Sequence, residues 1–326
     1  MPRTLRWDPP RTPFQLEHVA VLGVTHRVLE TAVRRKKIMR LATGVYVAAD
    51  AIPEDDAAQQ HLLAARAHQI LLPRAIASHH TAALAWELEL DDPERAATFR
   101  PSFIEPDSHG TRSRRSRKLI LSVRDLPAEQ RVCHPSGLIV TSRDRTAVDV
   151  AAGLALPEAL ITLDAAARMN LQEQVGRSWL RDHYTKPQVI ANSVRPLTEA
   201  SRSAATQFTR RSLGVAITHA DARRESAAES LSFGHMVLAE LPLPELQVRF
   251  TDESGDLYTD FLWRKAGLVG EVDGNAKYRT PEDLVAERRR DARLRAMGLR
   301  VEHWEASDIR RRPHQVMSGL ARLLGC

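Results

Sequence analysis

The stretch LYTDFLWRKAGLVGEVDG, residues 257–274, decides how the C-terminal third of the chain is interpreted. It is typical of two β-strands, LYTDFLW and GLVGEVDG, joined by a short connection. Asp260 lies on the first strand, eleven residues before Glu271 on the second, which is the separation that a β-hairpin needs to bring them side by side. Asp273 alternates with Glu271 about Val272, so both carboxylates project from the same side of the strand. The pattern predicts that the three acidic side chains converge.

Three converging carboxylates point to a metal ion. Like charges placed together raise one another's pKa, which is costly unless a cation neutralises them. An oxygen-only set of ligands suits Mg²⁺ or Mn²⁺, and such an ion can lower the pKa of a bound water and clamp a phosphate during cleavage. The alternative interpretation is structural: Asp273 and Gly274 form only a turn, and Asp260 is a charge at a strand edge.

The elements on either side predict a complete domain over residues 223–326. A helix, RRESAAESLSFGHMVLAEL, comes first and carries Glu225 and Glu229 four residues apart on one face. A strand, LQVRF, and a turn, DESGD, lead into the strand of Asp260. The helix EDLVAERRRDARLRAMG, the strand LRVEHWE and a closing helix, IRRRPHQVMSGLARLL, with Pro313 at its start, follow. This order predicts a mixed sheet flanked by helices.

The first of these later helices is rich in arginine, with Arg288, Arg289 and Arg293 along it. The planar guanidinium donates paired hydrogen bonds to phosphate and stays charged at any working pH. We expect these side chains to contact the DNA backbone, although such contacts give affinity without proving catalysis.

The blocks YTDFLW, GEVDGNAKY and ERRRDARLRAMGLRV occur in this order and resemble the DUF559 and very-short-patch-repair branch of the PD-(D/E)XK restriction-endonuclease-like superfamily. The resemblance covers about a hundred residues. It implies cleavage of phosphodiester bonds that depends on Mg²⁺ or Mn²⁺. It also implies that Asp260 and Glu271 are the metal carboxylates and that Glu229 is a partner carried by the preceding helix.

The chain departs from that superfamily at one position that matters. The residue two places after the second acid is usually lysine, and here it is Asp273. Lys277 is the residue that could replace the lysine in space, which makes Asp260, Glu271, Asp273 and Lys277 the candidate catalytic set. If Lys277 does not, the site is weakened or inactive.

Residues 13–49 predict a second kind of function. PFQLEHVAVLG has helical spacing and ends at Gly23, and a second helix begins after Thr25 as its N-cap. IMRLATGVYVAA then alternates about Gly44 as a hairpin does. Helix, turn, helix and hairpin is the order of a winged helix-turn-helix, with predicted DNA contacts at Arg27, Arg34, Arg35, Lys36 and Arg40. The alternative is a small helical hairpin with a solvated basic face.

This segment, GVTHRVLETAVRRKKIMRLATGVYVAAD, is similar to the N-terminal winged helix of AbiEi-like antitoxins from type IV toxin–antitoxin systems. VTSRDRTAVDVA, residues 140–151, resembles a segment of their second domain. The resemblance implies binding to operator DNA, repression and a cognate toxin as partner. The glycine that usually precedes the hairpin is replaced here by Lys36 and Lys37.

Length and composition agree with a multi-domain α/β (α+β) protein. The 326 residues carry a net charge of +6, and 43% of them are hydrophobic, without a stretch long enough to cross a bilayer. The start of the chain lacks the apolar core of a secretory signal, so we expect a cytoplasmic location and no membrane partner. The two cysteines, Cys133 and Cys326, indicate neither a disulfide framework nor a zinc site.

The predicted domains are a winged helix at 1–52, an α+β domain at 53–170, a helical linker at 171–222 and the nuclease-like domain at 223–326. Three functions are compatible with them: a nuclease that a winged helix delivers to DNA, a regulator or antitoxin whose nuclease fold has lost activity, and a protein-binding module with incidental affinity for DNA.

Overall fold

The computed structural model of the protein describes residues 7–106, 113–204, 209–274 and 281–326. The contacts of the chain form two units. Unit 1 is Met1–Leu88 with Asp92–Asp149, and unit 2 is Glu89–Asp91 with Val150–Cys326. The predicted segment 1–52 therefore lies in unit 1 with most of segment 53–170, and the predicted segments 171–222 and 223–326 lie in unit 2.

Unit 1 begins with the helices and the hairpin that the sequence predicts. Their bounds are α1, Leu16–Val19; a 3₁₀ turn, Ala20–Leu22; α2, His26–Arg34; β1, Ile38–Ala42; and β2, Val45–Ala48. Gly23 ends the first part in the left-handed conformation at φ 79°, and the Thr25 side chain accepts the backbone N–H of Val28 to cap α2. Phe14, Val19, Val24, Leu29, Ala32 and Ile38 form a core of their own.

The rest of unit 1 is built on a six-stranded mixed sheet. Its helices are α3, Ala57–Leu71; α4, His79–Ala85; α5, Pro93–Thr98; and α6, Arg143–Ala151. Its strands are β3, Ile76–Ala77; β4, Ser102–Pro106; β5, Arg114–Arg115; β6, Ile120–Arg124; β7, Arg131–Cys133; and β8, Ile139–Thr141. The strand order is β5-β6-β4-β3-β8-β7. Asp56 caps α3 and Asp92 caps α5, each by accepting a backbone N–H three residues on.

Unit 2 opens with three helices. These are α7, Leu156–Val175; α8, Pro187–Ala204; and α9, Arg210–His219. The middle of α7 is buried almost all round, because α8, α9 and a later helix pack against it. The helical linker predicted at 171–222 is thus packed on α7 and belongs to the body of unit 2.

A four-stranded mixed sheet completes unit 2. Its elements are α10, Ala227–Leu238; β9, Glu245–Asp252; β10, Gly255–Trp263; β11, Leu268–Asp273; α11, Pro281–Ala296; β12, Arg300–Glu305; α12, Ala306–Arg311; and α13, Pro313–Leu324. The strand order is β12-β11-β10-β9. β10 is antiparallel to both β9 and β11, and β12 is parallel to β11. The predicted mixed α/β architecture is confirmed.

The closing helix was expected to carry Pro313 at its start, and α13 begins at Pro313. The residues before the proline belong to a separate short helix, α12, which ends at Arg311. Proline has no backbone N–H and is favoured in a first turn, so the chain breaks there.

Aromatic rings fill the core of unit 2 on one side of the sheet. Phe261 stacks on Trp304 with ring centroids 5.8 Å apart. The Trp304 indole N–H donates to Ser232 on α10, and the Trp263 indole N–H donates to the carbonyl of Pro242. These bonds satisfy the polar edge of each buried indole. Within the described part of the chain, every helix is too short or too polar to cross a membrane.

Candidate metal centre

Asp260 sits where the β10–β11 ladder ends. The backbone pairing runs as far as Phe261 with Gly270. Beyond that pair an oxygen of the Asp260 carboxylate accepts the backbone N–H of Val272 at 2.9 Å. The carboxylate therefore takes the place of a ladder carbonyl, and it is fixed beside the strand that carries Glu271.

Gln247 on β9 joins Asp260 to a third acid. Its side-chain amide donates to Asp260 at 3.3 Å and to Glu229 at 3.2 Å. The side chain is buried, and its backbone has a φ of 49° inside a strand. A left-handed residue without glycine's freedom costs free energy and persists only where its surroundings enforce it. The amide of Gln247 thereby binds the carboxylates of Asp260 and Glu229 together and holds them close to each other.

Glu229 lies in the first turn of α10. Ser226 is the N-cap and accepts the backbone N–H of Glu229, while the Glu229 carboxylate accepts the Ser226 hydroxyl and the backbone N–H of Glu225. This is a reciprocal capping arrangement. The expectation that Glu225 and Glu229 share a helix face is wrong, because α10 begins at Ala227. Glu225 precedes the helix, and Arg181 and Tyr184 bind its carboxylate.

Glu271 on β11 faces α11. Arg290 Nη2 donates to both carboxylate oxygens of Glu271 at 2.9 Å, and it also donates to the carbonyl of Tyr258. The guanidinium is therefore anchored between β10 and β11. We call Glu229, Asp260 and Glu271 the carboxylate triad.

The environment of the carboxylate triad disfavours its charged form. Burial raises the pKa of Glu271 to about 8, and the charge of Asp260 acts in the same direction. Burial, followed by the charge of Asp260, raises the pKa of Glu229 to about 8. Burial also raises the pKa of Asp260, although its hydrogen bonds and Arg290 oppose that shift. The contacts described above place one guanidinium, that of Arg290 on Glu271, against three acids, so ionisation of all three would leave the site with excess negative charge.

The donor set fits a hard divalent cation. Each member of the carboxylate triad offers oxygen, which is the ligand atom that Mg²⁺ and Mn²⁺ prefer. A divalent ion would neutralise the charge that raises these pKa values. Arg290 already contacts both oxygens of Glu271, so an ion has to share that carboxylate with the guanidinium or displace it.

Asp273 is paired with His303 on β12. It projects toward α11 as Glu271 does, but His303 Nδ1 lies 3.2 Å from both of its oxygens. That hydrogen bond raises the pKa of His303 to about 9. The predicted convergence therefore includes Asp260 and Glu271 and leaves Asp273 in a neighbouring ion pair. Lys277 lies outside the described residues.

The predicted DNA contacts fall into two groups. Arg288 and Arg289 are exposed on α11, and so are Arg27, Arg34, Arg35, Lys36 and Arg40 on α2, β1 and the turn between them. Arg293 differs from them, because its guanidinium is paired with both oxygens of Asp252 at 2.6 and 2.7 Å. Arg293 therefore ties α11 to the β9–β10 turn.

Lys36 has a φ of 54°. This is the left-handed conformation that a glycine adopts without strain, and a residue with a side chain adopts it at a cost in free energy.

Sequence reasoning missed Gln247, Arg290 and His303. Arg290 was one arginine among several on its helix, and nothing in its spacing marked it as the partner of Glu271. His303 follows from the parallel pairing of β11 with β12, which places it beside Glu271. Gln247 lies between two apolar residues of LQVRF, and a polar residue there was the one available signal.

Comparison with known proteins finds full-length relatives without an assigned activity. No family model matches the chain. Two proteins of Mycobacterium tuberculosis, one from strain H37Rv and one from strain CDC 1551, are each 28% identical over 305 residues, which is 92% of this chain and 97% of the relative. Both are named as uncharacterized proteins. The similarity spans both units, and the two resemblances given above stay predictions.

Proposed function

We propose that unit 2 is a metal-dependent nuclease module that hydrolyses phosphodiester bonds of DNA, with Glu229, Asp260 and Glu271 as its metal ligands. One observation carries the proposal. Buried carboxylates of α10 and β10 share one glutamine amide, and Glu271 of β11 lies near enough to Asp260 for that charge, after burial, to raise the pKa of Glu271. Such clustering stabilises no fold by itself and is typical of functional sites.

Each residue has a separate role in this proposal. The carboxylate triad would hold Mg²⁺ or Mn²⁺, which supplies a water of lowered pKa and positive charge against the phosphate. Gln247 orients two of the three ligands through its amide. Arg290 balances the charge of Glu271 and keeps that carboxylate aimed at the gap between β10 and β11. Second-shell contacts of this kind set ligand direction in metal sites.

Exposed arginines favour a nucleic-acid substrate. Arg288 and Arg289 lie on the same helix as Arg290, so they can hold a phosphate backbone near the carboxylate triad. In unit 1, α2 and the β1–β2 hairpin carry a second exposed basic set with the order of a winged helix. A chromosomal DNA substrate would place the protein in the cytoplasm.

Cleavage assays with the purified full chain test the proposal. We expect Mg²⁺ or Mn²⁺ to produce cleavage of DNA, and we expect Glu271→Ala and Asp260→Asn to reduce the rate by at least about a hundredfold, as removal of a metal ligand does. Glu302→Gln changes an exposed carboxylate on β12 and serves as the matched control. Cleavage that survives both ligand variants would contradict the assignment of these residues.

A second function is favoured by the contact between Arg290 and Glu271. A guanidinium bound to both oxygens of the acid, together with Asp273 at the usual lysine position, is what a nuclease fold kept only for binding would have. The protein would then be a DNA-binding repressor of the AbiEi-like kind, with a toxin as partner. In that case DNA is bound and never cut across metals and substrates.

Salt dependence of DNA binding separates both functions from a protein-binding module. The logarithm of the binding constant falls with the logarithm of salt concentration by roughly 0.9 per phosphate neutralised. Arg34→Ala with Arg35→Ala should reduce this slope by about one to two. Arg74→Ala, which changes an exposed residue in the turn after α3, should leave the slope unchanged. A slope near zero in the unaltered chain would leave only the protein-binding alternative.

A further inference from the structure

A second group of possible ligands lies beside the carboxylate triad. Asp273 ends β11, His303 lies on β12, and Glu287 lies on α11. His303 Nδ1 is 3.2 Å from the Asp273 oxygens and 3.9 Å from Glu287 Oε1. One ligand atom from each residue lies within 4.8 Å of the other two. We call these three residues the imidazole site.

We propose that the imidazole site binds a first-row transition-metal ion of the Zn²⁺ class, separate from the ion of the carboxylate triad. The donors are one imidazole nitrogen and two carboxylates, a set that favours zinc and its neighbours over Mg²⁺. Zinc lies about 2.0 to 2.2 Å from nitrogen and oxygen ligands. Donor atoms already this close therefore need only small side-chain movements to reach one ion.

Nε2, the ring nitrogen of His303 that faces away from Asp273, has a carboxylate partner, as the non-ligating nitrogen of a metal-bound histidine usually does. Asp291 Oδ1 lies 3.0 Å from Nε2, and Arg295 donates to Asp291 Oδ2 at 2.9 Å. A carboxylate on the far nitrogen fixes the tautomer and the orientation of a ligating imidazole. Nδ1 is thereby directed at Asp273 and Glu287.

The two sites are distinct although they share a sheet and a helix. Arg290 donates a hydrogen bond to Glu271, and the next residue, Asp291, is hydrogen-bonded to Nε2 of His303. Glu271 is opposite His303 in the parallel register, while Asp273 is one pleat further along β11. The proposal gives Asp273 a ligand role that does not depend on the proposed nuclease activity.

Zinc binding to the full chain is the test. Cys133 and Cys326 are exposed thiols that bind zinc themselves, so both are replaced by serine in every protein compared. Calorimetric titration with ZnSO₄ should show a site that His303→Gln weakens at least about tenfold and that Asp291→Asn weakens about 10- to 100-fold, the usual effect of losing a second-shell partner. His314→Gln, which changes an exposed histidine on α13, should have no effect.

A second measurement keeps His303 unaltered, so that misfolding of a His303 variant does not affect its result. The zinc X-ray absorption spectrum of the cysteine-free chain should show one imidazole with oxygen ligands, and Glu271→Gln should leave that spectrum unchanged. An oxygen-only zinc environment, equal affinity in His303→Gln, or failure to bind zinc would each overturn the proposal. Because Glu271→Gln removes a ligand of the carboxylate triad alone, loss of nuclease activity and loss of this site can be told apart.

Discussion

At the residue scale, Glu271 has a consequence for stability as well as for chemistry. Its pKa is raised to about 8 by burial and by Asp260, so the folded state holds a proton that the unfolded state has released. The stabilisation is fully present below the ordinary value of about 4.5 and is lost as pH rises through about 8. The free energy of unfolding of the metal-free protein should therefore fall between pH 5 and pH 9.

Glu271→Gln should remove much of that weakening. Glutamine mimics the protonated acid, so the variant should match the unaltered protein near pH 5. At pH 9 it should exceed the unaltered protein by about 2 to 4 kcal/mol in the free energy of unfolding, since a pKa unit corresponds to about 1.4 kcal/mol and a charge-assisted bond from Arg290 is weakened. Urea unfolding in a chelating buffer measures this difference in the free energy of unfolding, with Glu302→Gln as the control. Parallel pH curves for the two proteins would count against the raised pKa.

The sequence identified Asp260 and Glu271 but could not identify Gln247, and the reason is register. β9 and β10 pair through Asp252 with Gly255, so the turn centres between Glu253 and Ser254. That register puts Gln247 opposite Asp260. A turn centred on Ser254, half a residue later, would place Val248 opposite Asp260 instead, and the residues DESGD do not distinguish these turns. A slip of one residue reverses which side chains share a face.

At the element scale, the contact between α10 and α7 depends on Gly234. A Cβ added there would meet the Pro157 Cα at 2.4 Å and the Pro157 Cβ at 2.9 Å. Gly234→Ala should therefore lower the free energy of unfolding by at least about 2 kcal/mol, because overpacking against backbone outweighs the gain of about 1 kcal/mol from helix propensity. Thermal unfolding measures the change.

Gly214 on α9 provides the matched control for this prediction. It is also a glycine within a helix, but open space surrounds the position of its Cβ. Gly214→Ala should stabilise the protein by about 0.5 to 1 kcal/mol, since alanine loses less conformational freedom on folding. Equal effects of the two substitutions would show that helix propensity, and not the contact with Pro157, determines the effect of Gly234→Ala on stability.

Most elements could be predicted because their signals are local. Thr25 as a cap, Gly23 as a stop and the period of two about Gly44 each lie within a few residues of the structure that they specify. Packing partners are not local. The residues around Gly234 in the sequence do not indicate that it packs against Pro157. The run of basic residues in α11 likewise does not indicate that Arg293 pairs with Asp252.

At the scale of the whole molecule, we expect the two units to differ in their response to pH, because they carry different sets of shifted acids and histidines. In unit 1, burial lowers the pKa of five histidines, of which His80 falls to about 4; the others are His61, His68, His79 and His134. In unit 2, the pKa of Glu229 and of Glu271 is about 8 and that of His303 is about 9. His219 and His235 of unit 2 have lowered pKa values, as do the carboxylates Asp221 and Glu225, so unit 2 also loses some stability as pH falls.

The sign follows from proton binding. A histidine with a lowered pKa is neutral in the folded state, so the stability it contributes is present above about 6.5 and is lost as pH falls toward 4. Groups with raised pKa values lose their contribution as pH rises through 8 to 9. Limited proteolysis of the metal-free full chain should thus cut first within residues 7–149 at pH 5 and first within residues 150–326 at pH 9.

Mass spectrometry of the fragments reads out this prediction, and two variants assign it to its causes. His80→Gln should slow the cuts in unit 1 at pH 5 without affecting those at pH 9, because glutamine carries no charge that burial can penalise. Glu271→Gln should slow the cuts in unit 2 at pH 9 and leave pH 5 unchanged. The same first cuts at both pH values would mean that these buried groups do not control the stability of their units, and the unbalanced charge proposed for the carboxylate triad would lose its physical support.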